Sequence, residues 1–371
     1  MSTQVNVSKK SLRIALLADA GHVNCQRWCE GLTNAGAEIH VLSFRSLPLD
    51  CVNSYQLPIY PFHRKLRYVT TVPHVRRLLA KIKPDVLLAY YVTGYGTLAA
   101  LTNFRPLVQV TSGSDVLIAP RNAIMKLLLR HTLAKADLVT AWAPHMANAT
   151  QELGVATERM LVLPRGIPFA QFASERSPEP MEGEPVSLIS TRSLRIPYKI
   201  DLLLRAIAIL KQRKVEFRLT IAGDGPEQGS LLGLAKQLGV SDNVRFVGFV
   251  PNADLPRLLA QHRIYISLID SDGVSASLLE AMTAGLLPIV PNHPANTQWI
   301  SDGDNGILLR HLSLDNIVDA IQRGIEDVTL RRRAWSKNLH SVRMRGDLFN
   351  NAQIFFKALG DLTISTRGSR S

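Results

Sequence analysis

Short apolar runs alternate with helix-like stretches through almost the whole chain, and that order limits what it can build. RIALLAD from Arg13, IHVLSF from Ile39, DVLLAYY from Asp85, PLVQVTS from Pro106, DLVTAW from Asp137 and MLVLP from Met160 each read as a strand. Between them lie helical segments. One runs from Cys25 to Asn34 and stops at Gly36, a C-terminal cap; the others are the basic HVRRLLAKIK before Pro84, NAIMKLLLRHTLAKA from Asn122, and MANATQELG. Strands separated by helices pair in parallel through crossovers, which predicts doubly wound sheets.

The alternation stops once. Residues 174–185, SERSPEPMEGEP, are acidic, contain three prolines and lack apolar periodicity, so they read as a linker. It then restarts with VSLIST, a helix from Asp201 to Gln212, FRLTIAG, a helix from Glu227 to Leu238 and VRFVGFV. A helix around Asp254 to Gln261, IYISLI, a helix from Ser277 to Ala284, the strand LLPIV and a closing set of helices follow. The expectation is two Rossmann-like α/β/α domains, residues 1–173 and 186–345, facing each other across a cleft. A C-terminal helix and tail, 346–371, is expected to pack back on the first domain. Open α/β sheets bind ligands at the carboxyl ends of their strands, so the loops there are the places to search.

At 371 residues the chain can bury two cores, and a charged fraction of 20% fits a soluble globular protein. No apolar run approaches the roughly 18 residues of a membrane span. Lys9 and Lys10 precede the apolar IALLA, but that run is short and followed by Asp19, which predicts a first strand rather than a signal peptide and a cytoplasmic protein. Three cysteines make no disulfide framework; Cys25 and Cys29 share a helix face and read as reduced, buried thiols. Positive charge is concentrated early: residues 1–165 hold 19 Lys and Arg against 9 Asp and Glu, residues 166–371 hold 24 against 21. Such asymmetry points to an anionic partner or simply to a basic surface. Arg121, Lys126, Arg130 and Lys135 interleave with Ile124, Met125, Leu127, Leu128 and Leu133. That face can lie on an anionic membrane, or it can be a core-facing stripe with a solvated basic side. No recognition-module motif accompanies the charge, so nucleic acid is not an expected partner.

The stretch from Asp272 to Asn305 carries most of the chemistry. Asp272 precedes Glu280 by eight residues, with Gly273, Val274, Ser275, Ala276 and Ser277 between them, and AMTAG, LLPIV and ISDGDNG follow. This layout resembles the E-x7-E region of the family 4 (group 1) retaining glycosyltransferases of the GT-B fold. The resemblance implies an enzyme whose two acids hold the sugar and ribose of a nucleotide-sugar donor. Glu280, fixed in a helix, would accept from the ribose hydroxyls, and Asp272 from the sugar; here Asp stands where Glu is commoner. Small residues opening that helix would let backbone N–H groups approach a phosphate. The bland alternative is an N-capped helix with a solvent-facing glutamate.

Further matches extend the resemblance over residues 12–345. Arg192 and Lys199 in TRSLRIPYK correspond to the family's donor-diphosphate cations, with Arg195 as a competitor for the role. Fixed cations there stabilise the charge that develops on the β-phosphate. Gly21 and His22 lie in the first strand–helix loop, where the family contacts donor and acceptor; the G-x-G-x-x-G fingerprint of nicotinamide enzymes is absent. Ser112 and Asp115, in TSGSD, match the family's H-G-S-D segment on the acceptor side, with serine replacing the histidine. Pro164-Arg165-Gly166-Ile167, the turn Gly223-Asp224-Gly225-Pro226 and Gly248-Phe249-Val250 match lesser motifs, Val250 at a strand end that contacts the base. Asp270-Ser271-Asp272 spells D-x-D, a metal-holding pair in the other large glycosyltransferase fold; no metal or other cofactor is expected here. The implied activity is transfer of a hexose from a nucleotide diphosphate sugar to a lipid-linked or surface glycan acceptor. The rivals are a sugar-nucleotide epimerase or hydrolase, and a non-catalytic nucleotide-sugar-binding scaffold.

Overall fold

The computed structural model describes residues 11–45, 52–59, 66–173, 184–270 and 272–368. Seven strands form a first, wholly parallel sheet: β1 (Arg13–Leu17), β2 (Glu38–Ser43), β3 (Asn53–Gln56), β4 (Val86–Tyr90), β5 (Leu107–Val110), β6 (Leu138–Ala141) and β7 (Met160–Val162), in the order β3-β2-β1-β4-β5-β6-β7. The central strands are buried on both faces, which is why they read as unbroken apolar runs. Six more form a second parallel sheet: β8 (Val186–Ser190), β9 (Phe217–Ala222), β10 (Val244–Gly248), β11 (Ile264–Ile266), β12 (Leu287–Pro291) and β13 (Ile307–Leu309), in the order β10-β9-β8-β11-β12-β13. Strand order reverses between β1 and β4 in the first sheet and between β8 and β11 in the second, creating a ligand crevice at each carboxyl edge.

The chain divides into two compact units. The first unites residues up to Arg165 with the helix Leu348–Gly368. That helix packs on Val23–Asn34, where Phe355 meets Trp28 edge-on at 5.2 Å and Trp28 stacks on Trp142 at 5.3 Å. Gly31 permits the approach, because a Cβ there would lie 2.9 Å from the Ala352 methyl. Cys25 and Cys29 are buried in the same helix.

The second unit is Gly166–Asp347. One face of its sheet packs Leu188, Ile221 and Ile266 against Ile207 and Ile321; the other packs Ile189 and Tyr265 against Leu278, Met282 and Val342. The division at Arg165 corrects the expected boundary at 173. Ile167 and Phe172 are buried in the second unit's cluster with Ile189 and Leu278, so burial places these residues with that core. At the other end the helix Val328–Arg345 closes at Gly346, and the helix that joins the first unit starts at Leu348 rather than 346. Residues 174–183 of the expected linker lie outside the described residues.

Candidate functional site

In the second unit, the loops after β8 and β11 meet at the crevice through Arg192. Its Nε–H donates to Ser267 Oγ at 2.8 Å, and Nη2 donates to Ser275 Oγ at 2.6 Å and to Asp272 Oδ2 at 3.3 Å. The guanidinium also stands 5.5 Å from the Tyr198 ring centroid. Burial works against its charge, and Tyr265, Asp272 and Tyr198 together outweigh burial, so its pKa lies above the ordinary arginine value. Arg195 is exposed and borders a separate depression with Ile196 and Glu227, which leaves the crevice to Arg192.

The turn after β9 sets the height of this loop. Cβ atoms on Gly223 and Gly225 would collide with the carbonyl oxygens of Arg192 and Leu194. In return Leu194 N–H donates to Asp224 O at 2.8 Å and Glu227 N–H to Leu194 O at 3.1 Å. Lys199 then enters the helix Ile200–Gln212 with a left-handed backbone (φ 50°), a conformation that costs a non-glycine residue about 1–2 kcal/mol. Its Nζ pairs with Asp270 Oδ2 at 2.8 Å. Both acids of the D-x-D segment therefore face a cation of the same crevice.

Ser275 caps the helix Ala276–Thr283, accepting from Leu278 N–H at 3.2 Å. Ser277 Oγ accepts from Tyr265 at 2.9 Å and lies 3.2 Å from Ser275 Oγ. The two hydroxyls thus hold the frame, and the main chain from buried Gly273 through Val274 is what the segment offers a ligand. Glu280 lies inside this helix and is only 5% exposed, which removes the reading of a solvent-facing glutamate on a capped helix. Val250 follows β10 and packs with Val274 against the cluster that contains Leu278.

The first unit has its own crevice, built differently. Asp19 Oδ1 accepts from Gly21 N–H at 3.0 Å, and His22 Nδ1 accepts from Asn24 N–H at 3.2 Å, capping the helix Val23–Asn34. The His22 ring reaches solvent, yet crowding by its neighbours and then the positive charge of Arg165 lower its pKa, against a smaller upward pull from Asp19. Tyr90, at the end of β4, has its hydroxyl 3.4 Å from both Asn24 Nδ2 and Ser112 Oγ. Asp115 differs from expectation: it is fully buried, and its carboxylate accepts from the N–H groups of Val92, Ser112 and Gly113 at 3.0, 3.0 and 2.9 Å. Burial raises its pKa despite these bonds. It braces the loop that presents Ser112 instead of offering an atom to a substrate.

Sequence reasoning missed Ser267, Tyr198 and Tyr265 around Arg192, and Tyr90 and Tyr91 in the first unit. Tyr91 follows β4 with φ 78° and ψ 100°, and its hydroxyl lies 3.1 Å from Ser114 Oγ. Tyr90 and Tyr91 at the end of β4, and Tyr265 within β11, were the available signals.

Two family models match the chain, "Glycosyl transferase 4-like" over residues 13–142 and "Glycosyl transferases group 1" over residues 171–340. The N-acetyl-alpha-D-glucosaminyl L-malate synthase of Bacillus anthracis is 25% identical over 242 residues, 64% of this chain and 62% of that protein, so the chain spans less than two thirds of it. The GDP-mannose-dependent alpha-(1-6)-phosphatidylinositol monomannoside mannosyltransferase of Mycolicibacterium smegmatis is 24% identical over 272 residues, 68% of this chain and 70% of that one. The crystal structure of Anabaena HepE in complex with UDP and glucose superposes with a TM-score of 0.77 at 18% identity, covering 94% of this chain and all of that one, a likeness of fold. With both sheets, both crevices and both models in agreement, the chain belongs to the group 1 glycosyltransferases and has their GT-B fold.

Proposed function

We propose that the chain is a retaining glycosyltransferase that moves a hexose from a nucleotide diphosphate sugar to the hydroxyl of a lipid-linked or surface glycan. The observation that carries this reading is Arg192, charged, its side chain 11% exposed, and fixed by Ser267, Asp272 and Ser275 at the second crevice. In the reaction the bond between the anomeric carbon and the β-phosphate oxygen breaks, and negative charge collects on that phosphate. Arg192 and Lys199 stabilise it without reorganising. The acceptor oxygen bonds to the anomeric carbon on the same face, and its proton passes to the departing phosphate oxygen, a route suited to Ser112 in the place of a histidine. Glu280 holds the ribose diol through charge-assisted bonds, and Asp272 the sugar hydroxyls. No metal is assigned, since Asp270 and Asp272 each already balance a cation. HepE, named with UDP and glucose, supports the donor class, and the phosphatidylinositol mannosyltransferase supports a lipid-borne acceptor.

A peripheral membrane contact fits the first unit. Helix Ala123–Ala134 buries Leu129, Thr132 and Leu133, yet Ile124 is 80% and Leu127 71% exposed beside exposed Arg121, Lys126 and Arg130. That pattern, apolar side chains set among cations, supports attachment to an anionic bilayer surface. Among the described residues no helix is long and apolar enough to cross a membrane.

The deciding experiment is a thermal-shift comparison of UDP, GDP and ADP on the wild type and on Glu280→Ala. A nucleotide at a hundred times its Kd stabilises by about 2.7 kcal/mol. One base should win, with its shift lost in Glu280→Ala. No shift with any nucleotide sinks the proposal and leaves a scaffold reading.

A further inference from the structure

Tyr265 is fully buried in β11, and its hydroxyl donates to Ser277 Oγ at 2.9 Å. The contact continues to Arg192 through a chain of hydroxyls. Ser275 Oγ accepts from Arg192 Nη2–H at 2.6 Å and from Leu278 N–H at 3.2 Å, which fills both its lone pairs. Its own hydrogen then goes to Ser277 Oγ, 3.2 Å away. Ser277 therefore accepts twice, from Ser275 and from Tyr265. On the guanidinium, Nε–H and both Nη2 hydrogens are taken by Ser267, Ser275 and Asp272. Nη1 has no hydrogen-bond partner among the described residues, so it is the end left for a ligand. The bonds to the two serines, at 2.8 and 2.6 Å, are shorter than the 3.3 Å to Asp272, so the serines set the aim of the fork.

Without the tyrosine that chain has a loose end. A serine in the first turn of a helix can swing its hydroxyl to a main-chain carbonyl three or four residues back. Tyr265 packs with Leu278 and Met282 in the core, so its oxygen is a fixed point that holds Ser277 toward Ser275 instead. We propose that Tyr265 is a positioning residue for Arg192: through Ser277 and Ser275 its hydroxyl fixes the aim of Nη1 and so sets the preference of this crevice for a nucleoside diphosphate over the monophosphate. The inference rests on the proposed donor site, in which Arg192 meets the β-phosphate that only the diphosphate carries. A fork turned off aim keeps its charge and loses the directed bonds that make an arginine–phosphate pair strong.

The base that wins the thermal-shift comparison is titrated calorimetrically into the full chain as its diphosphate and as its monophosphate, UDP against UMP if uridine wins. The wild type should bind the diphosphate more tightly. Tyr265→Phe keeps the ring and removes only the oxygen. It should bind the monophosphate as the wild type does and the diphosphate about fivefold more weakly. Ser277→Ala should show the same loss, and the double variant no more than either one, because both cut one chain. A tyrosine that merely fills the core would weaken both nucleotides together or lower Tm alone. Either of those results, an unchanged preference in Tyr265→Phe, or losses that add in the double variant overturns the proposal. Should Tyr265→Phe fail to fold, Ser277→Ala decides by the same preference. A wild type that binds the two nucleotides equally shows instead that Arg192 does not meet the diphosphate, and the proposal falls with that reading.

Discussion

The two crevices handle positive charge in opposite ways. In the second unit each cation has an acid beside it: Arg192 has Asp272, and Lys199 has Asp270. A diphosphate arriving there exchanges one set of ionic partners for another, so the frame is charged, rigid and stable before any ligand comes. In the first unit Arg165 is buried with no carboxylate paired to it among the described residues, and the pKa of His22 is lowered, first by burial and then by the charge of Arg165. A paired crevice is organised for chemistry, where a fixed field matters most.

Arg192→Ala tests that contrast most severely. It should lower kcat about 10²–10³-fold, and it should destabilise by about 1–3 kcal/mol because Asp272 and two serines lose their donor. Arg192→Lys should rescue little, since an ammonium cannot span Ser267, Ser275 and Asp272 as the planar fork does. Retained activity in Arg192→Lys would break the contrast. In stability the two arginines should part company, Arg192→Ala melting lower than the wild type and Arg165→Met not.

The next effect reads the intolerance of the second unit for an unpaired charge as a pH profile. His262 is buried with Nε2 2.8 Å from Thr220 Oγ1 and Nδ1 2.8 Å from Leu258 O, and burial, with smaller help from Arg263 and Arg245, lowers its pKa to about 4. Below about pH 6.5 the unfolded chain binds a proton that the folded ring refuses until about pH 4. Stability should therefore fall as pH drops through that window, by at most about 3 kcal/mol. Urea titrations at pH 7, 5.5 and 4 check this, with His262→Gln expected to flatten the profile. An unchanged slope in that variant would remove His262 as the cause. The smallest effect belongs to the first unit's surface. Ile124→Ser with Leu127→Ser should reduce sedimentation with anionic vesicles several-fold and leave Tm nearly unchanged, as exposed substitutions do. Equal sedimentation would end the membrane assignment.

The sheets and the Arg192 crevice were legible because they follow local rules. Strands buried on both faces are unbroken apolar runs, and a charged segment between a strand and a helix lands at a carboxyl edge. Two strands escaped that reading. β3, NSYQ, is a mostly exposed edge without apolar pattern, and β13 spans only Ile307–Leu309. The helical turn Val92–Gly96 escaped because its sequence, VTGYG, argues against a helix. A Cβ on Gly96 would collide with Gln109 Oε1, a tertiary demand that no local pattern carries. Arg165 was visible as one charge within LVLPRGI, but its burial without a partner emerges only when distant segments fold around it.

The return of the helix Leu348–Gly368 to the first unit has a consequence in time. On the ribosome, residues 166–347 emerge between the two parts of that unit, so the second can form its sheet and both its clusters while the first still lacks its last helix. Until Phe355 arrives, Trp28 and the notch at Gly31 face water or a chaperone. The half that is made first is therefore the half that is finished last.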